Sequence, residues 1–138
     1  IPGYESPIHD FAIYDPESGE DFKDKMLDYK GFQLVFVIPF LSEVNTNALP
    51  QAGVCYNWAR ENQIPFWGLT SASLTASNTF KDEHDIDFKL YSADQKMLMT
   101  MARYNPTLYL FDGSTVIEKW SGASMPDAQK LNSLISNR

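Results

Sequence analysis

A chain of 138 residues, 43% hydrophobic and 14% aromatic, has enough apolar surface for one well-filled core, so a single domain over residues 1–138 is expected. Eleven basic residues against 18 acidic ones leave a net charge of -7, which repels phosphates and anionic headgroups and excludes nucleic acid and direct lipid binding from the expected partners. The longest apolar run, Leu34 to Leu41, is eight residues, far short of the roughly 20 that span a bilayer.

The chain begins Ile1-Pro-Gly-Tyr without Met or a charged-then-apolar leader, and so reads as a piece excised from a longer product. Residues 1–7 are an entry segment, with His9 beside Asp10 read as structural or exposed because neighbours on a strand point to opposite faces. Phe11-Ala-Ile-Tyr14 is a short strand before the turn formers Asp15-Pro-Glu-Ser-Gly19. From Glu20 to Tyr29, Phe22, Met26, Leu27 and Tyr29 fall at helical spacing, and Gly31 follows where a helix end favours positive φ. Phe32 to Ile38 is uninterrupted and rich in Val and Ile, the pattern of a central strand buried on both faces.

After Pro39 the chain turns polar. Asn45, Thr46 or Asn47 can cap a helix from Ala48 to Asn62, with Pro50 tolerated in its first turn and Leu49, Ala52, Val54, Tyr56, Trp58 and Ala59 as its apolar stripe. Pro65 to Thr70 is a second buried strand, completing a β-α-β unit. A Ser/Thr-rich loop runs into a helix from Thr75 to Glu83, and a short strand follows at Phe88 to Tyr91. Ser92-Ala-Asp94 can cap a helix from Gln95 to Ala102 that buries Met97, Leu98 and Met101.

Arg103-Tyr-Asn-Pro106 then leads into the apolar run Thr107 to Phe111, where the Asn-Pro step is a trans edge residue or a cis bond. Asp112-Gly113 before Thr115 to Trp120 signals a hairpin with a loop slightly longer than the tightest turn. Ser124-Met-Pro-Asp127 has the form of a capping box before a helix with Ala128, Leu131, Leu134 and Ile135 inward.

The order of these elements, the Val-rich strand ending at Pro39, the helix after the loop and Tyr104-Asn-Pro106-Thr-Leu-Tyr-Leu-Phe-Asp-Gly113 together resemble the thioredoxin-like fold, in its peroxiredoxin and membrane-anchored branch. The resemblance implies an α/β domain with a central mixed sheet flanked by helices, and a cis Pro106 facing the loop from Phe40 to Thr46. The chain also resembles the domain that follows the membrane helices of some DoxX-like proteins, which implies membrane association through a segment absent from this chain.

Where thioredoxins carry C-x-x-C and peroxiredoxins a cysteine, this chain reads Leu41-Ser-Glu-Val-Asn-Thr46. Spacing from Pro39 puts Thr46 near the peroxidatic position, and a hydroxyl forms no low-pKa thiolate. Cys55, the only cysteine, lies nine residues further, roughly 13 Å along a helix and away from the positive helix start that acidifies a catalytic thiol. A buried structural role is therefore expected.

No catalytic residue, cofactor or metal site is read from the sequence. His9 and His84 form no local ligand motif, and Asp82-Glu-His-Asp85 with Asp87 lacks the ordered spacing of a calcium loop. The three tryptophans are expected in the core. The expected partner edge comprises Phe40, Leu41, Ser42, Glu43 and Thr46 with Arg103, Tyr104, Asn105 and Pro106. There Arg103 reads first as a solvated helix-end arginine favoured by the dipole and second as a residue that holds an anion, pairing with Glu43 in either case, and an extended segment pairs with the backbone beside Pro106. The expected function is a redox-inactive docking module for a protein or peptide segment, including its own membrane domain. The alternative is a thiol-disulfide oxidoreductase or peroxidase that uses Cys55 with a thiol from outside the chain.

Overall fold

Phe32–Ile38 forms strand β2, and every residue of it after Phe32 is buried. The reason for the uninterrupted apolar run is visible in its alternation: Leu34, Phe36 and Ile38 enter one core, Val35 and Val37 the other. The computed structural model describes residues 12–137, so the readings of the entry segment, His9, Asp10 and Phe11 lie outside the described residues.

Around β2 the elements are β1 (Ile13–Tyr14), α1 (Lys23–Asp28), α2 (Leu49–Glu61), β3 (Phe66–Thr70), α3 (Leu74–His84), β4 (Leu90–Ala93), α4 (Gln95–Met101), β5 (Thr107–Asp112), β6 (Thr115–Ser121) and α5 (Ala128–Ser136). The strands form one mixed sheet in the order β1-β4-β3-β2-β5-β6. β2 runs parallel to β3 and antiparallel to β5; β3 and β4 are parallel, and β1 and β6 are antiparallel additions at the two edges. On one face α1 and α4 supply Met26, Met97, Leu98 and Met101; on the other α2, α3 and α5 supply Ala52, Trp58, Phe80 and Leu131. The expected mixed sheet flanked by helices is therefore the architecture found.

Several boundaries differ from the sequence reading, each for a local reason. α1 is shorter than Glu20–Tyr29 because Asp21 Oδ1 accepts from the amides of Lys23 and Ile13, holding the preceding residues in a turn. Tyr29 is exposed and extended, while Gly31 does take a positive φ of 138°. α3 starts one residue early because Ser73 caps it through the amide of Ala76. β4 is shifted to Leu90–Ala93, although Phe88 is buried. In α2 the exposed Val54 drops out of the apolar stripe and Cys55 takes a buried position. The capping box does not form: Asp127 caps α5 through the amide of Lys130, and Ser124 closes the short 3-10 turn Gly122–Ser124. The hairpin is tighter than expected, since Asp112 pairs with Thr115 and only Gly113 and Ser114 turn. The register shift that absorbs the difference lies between Leu110 and Phe111.

One buried polar side chain joins elements that apolar packing alone would leave free to slide. Gln33, fully buried in β2, donates from Nε2 to the carbonyls of Met26 at 2.8 Å and Gly113 at 3.0 Å. Its Oε1 accepts from Trp67 Nε1 at 2.8 Å. Gln33→Leu keeps much of the volume but strands the buried Met26 carbonyl and Trp67 N-H and the half-buried Gly113 carbonyl, and is expected to cost about 3 kcal/mol. Urea unfolding measures this; a loss under about 1 kcal/mol would show that those groups find other partners.

Candidate functional site

β2 ends at the buried Pro39, whose carbonyl accepts from Ser71 Oγ at 2.8 Å. The chain then makes two 3-10 turns, Leu41–Glu43 and Thr46–Ala48, before α2. Asn45 stands between them and does three things. Its Oδ1 accepts from the amide of Asn47, which caps the second turn. Its own amide donates to the carbonyl of Asn105 at 2.9 Å. Its Nδ2 donates to Tyr104 Oη at 2.9 Å. Asn105 returns the contact, donating from Nδ2 to the carbonyl of Phe40 at 2.7 Å. Two loops that are far apart in sequence are thus closed onto each other by hydrogen bonds in both directions.

The Asn105-Pro106 peptide is cis, as the resemblance implied. The Pro106 carbonyl accepts from the amide of Gly122 at 2.8 Å. A Cβ on Gly122 would lie 2.8 Å from Pro106 Cδ and 3.1 Å from the Ala48 Cβ, so only glycine lets β6 approach this closely. The carbonyls of Asn105 and Pro106 both accept from within the chain, and an extended segment laid beside Pro106 has to find other acceptors.

The predicted edge residues separate into groups. Phe40, Glu43, Arg103 and Asn105 line one cavity of about 350 Å3 together with Pro39, Met99 and Ala102. Glu43 and Arg103 are exposed and border it without forming an ion pair, contrary to the pairing expected. Thr46 lies apart from them, bordering a cavity of about 280 Å3 against Tyr56 and His84. Leu41 packs against the core on the α2 face, Ser42 is exposed, Tyr104 is exposed but tethered to Asn45, and Pro106 is buried.

Sequence reasoning gave Asn45 only a capping role and missed Met99. The signal for Met99 was present: if Met97, Leu98 and Met101 face inward on α4, Met99 faces outward, and it is 48% exposed. No sequence pattern announced that Asn45 joins the two loops.

Cys55 is 0% exposed in the second turn of α2, with Sγ 3.5 Å from the Pro126 carbonyl. Burial, and after it the charge of Asp127, pushes its thiol up to about 12. Trp58 and Trp67 are buried, their indole N-H groups donating to Asn132 and Gln33, whereas Trp120 is half-buried. Among the described residues no three His, Cys, Asp or Glu side chains converge as metal ligands.

No protein-family model and no curated protein matches the sequence. Solved structures do match over most of the chain. A secreted Mycobacterium tuberculosis disulfide oxidoreductase homologous to E. coli DsbE aligns with a TM-score of 0.64 and 13% identity, over 92% of this chain and 95% of its own. Peroxiredoxin 5 from Alvinella pompejana gives 0.61 and 12%, over 100% and 99%. The Xanthomonas campestris bacterioferritin comigratory protein gives 0.60 and 10%, over 93% and 89%. At these identities the likeness is one of fold, and the fold is thioredoxin-like.

Gly122→Ala is expected to cost about 1–3 kcal/mol, because Pro106 and Ala48 are too well anchored to give way. A melting temperature unchanged from the parent would mean that β6 can move off. Cys55 is expected to resist iodoacetamide from pH 5 to 9 and to react at once in denaturant. Because its folded pKa is raised, its stabilising contribution is complete below the ordinary thiol value of 9.0 and is lost as pH climbs toward about 12. The alkaline fall in stability should therefore be flatter in Cys55→Ala, and rapid native labelling would show a thiol more accessible than this geometry allows.

Proposed function

We propose that this chain is a thioredoxin-fold binding module without thiol-disulfide chemistry, carried as a domain of a membrane-associated, DoxX-like protein. A segment outside this chain provides the attachment. The observation that carries the reading is the position of Cys55: the one sulfur nucleophile available is sealed in the core with its pKa pushed up to about 12, away from the loop where redox relatives of this fold place theirs. The loop itself offers Leu41 to Thr46, which has no thiol. The alternative, an oxidoreductase or peroxidase working through Cys55, needs an accessible and acidified thiol, and burial opposes both.

What the edge retains is a place to bind. A groove with Pro39, Phe40, Met99 and Ala102 as apolar lining, and on its rim the charges of Glu43 and Arg103, which form no ion pair among the described residues, is the composition of a recognition site. Overall likeness to the domain that follows the membrane helices of DoxX-like proteins supports the attachment, and the partner is a protein or peptide segment, including that membrane domain.

The test is site-specific photo-crosslinking in native membranes of the full-length protein. A benzophenone amino acid replaces exposed Met99 at the edge or exposed Val54 on α2. Discrete protein adducts are expected from position 99 and not from 54. Equal labelling from both, or a disulfide- or peroxide-reducing activity that disappears in Cys55→Ser, would overturn the reading.

A further inference from the structure

The groove beside Asn105 carries more information than its apolar lining, and the step below rests on the binding-module reading above. Its walls combine three demands. Pro39, Phe40, Met99 and Ala102 make the lining apolar, and Met99, nearly half exposed, gives an occupant apolar surface to cover. Arg103, exposed on the rim, makes no ion pair among the described residues, which leaves a planar bidentate donor available for a carboxylate. The third demand is for a hydrogen-bond donor. Glu43 on the rim accepts, and Asn105 Oδ1 is buried with no donor among the described residues, its amide nitrogen donating to the Phe40 carbonyl.

These demands select among occupants. A fatty acid supplies an apolar chain and a carboxylate but no donor. An internal stretch of peptide supplies donors and side chains but no carboxylate. The last residue of a peptide supplies all three within one unit: an apolar side chain, a terminal carboxylate and an N-H. The cavity, about 350 Å3, is of the size that holds such a residue with part of the one before it. We infer that the groove formed by Phe40, Glu43, Met99, Arg103 and Asn105 binds the free C-terminus of a partner peptide ending in an apolar residue. The carboxylate lies on Arg103, the side chain between Phe40 and Met99, and the N-H toward Glu43 and Asn105. The Asn105 oxygen is covered in the empty groove, so binding shifts the side chains around it, and the Asn105 amide reports this.

The probes are N-acetyl-Gly-Ser-Leu with a free carboxylate, the same peptide as its C-terminal amide, and octanoate, each titrated into the 15N-labelled chain and followed by NMR. The free-acid peptide should shift the backbone signals of Phe40, Glu43, Arg103 and Asn105 and the Asn105 side-chain amide. The amidated peptide and octanoate should each bind about tenfold more weakly. Arg103→Gln, an exposed change that spares the core, should remove the difference between acid and amide, whereas Arg103→Lys should restore part of it. Equal binding of acid and amide overturns the proposal, as does octanoate binding as well as the peptide, or shifts confined to other surfaces. If the crosslinks from position 99 form but the carboxylate preference is missing, only the occupant is wrong; if the crosslinks fail as well, the binding-module reading falls with it.

Discussion

The structure depends on β2 having a neighbour on each edge and helices on each face. A strand in that position has no side open to water, so its backbone hydrogen bonds go to β3 and β5 and its side chains must be apolar in both directions. Gln33 is the exception, and it is tolerated because Met26 and Gly113 take both its donors and Trp67 donates to its oxygen. That one residue also ties the end of α1, strand β3 and the hairpin to a single register. With β2 fixed this firmly, the loop leaving it at Pro39 starts from a rigid point, and so does the loop that precedes β5.

The candidate site follows from those two loops emerging side by side. The Asn45 amide donates to the Asn105 carbonyl and the Asn105 side chain donates to the Phe40 carbonyl across the gap, and Gly122 lets the end of β6 close against Pro106 from the other side. In a redox member of this fold the region around the loop has to admit a disulfide or a peroxide. Here polar side chains already join the two loops across part of that region, and what stays open lies beside it, between Phe40 and α4. The opening therefore faces the α4 side of the sheet, while Thr46 borders a separate cavity on the α2 side.

How much of this was legible follows from which signals are local. The sheet and its helices were readable because burial on two faces and helical periodicity leave marks over many consecutive residues, as in Phe32 to Ile38 and in Met97, Leu98 and Met101. Helix starts were less so, since Asp127 and Ser124 are both chemically competent caps and only the path of the chain before α5 decides between them. The hairpin loop was misjudged because the spare residue was absorbed by a shift inside the ladder rather than in the turn. At the site, Arg103 and Phe40 stood out by adjoining the two loops. The bond between Asn45 and Tyr104 spans 59 positions and has no pattern to announce it.

The charge balance places a further condition on what can dock at this edge. The protein carries -7 overall, so its long-range field repels an acidic partner even though Arg103 is locally attractive. A single exposed guanidinium is screened by salt within about 10 Å, and it can reward one carboxylate placed against it but not a run of them. For the proposed occupant, apolar contact with Phe40 and Met99 would have to supply most of the affinity, with Arg103 and Glu43 fixing orientation. A partner segment bound as proposed would therefore be neutral or basic over its length. Its only negative charge close to the groove would be the one that Arg103 receives.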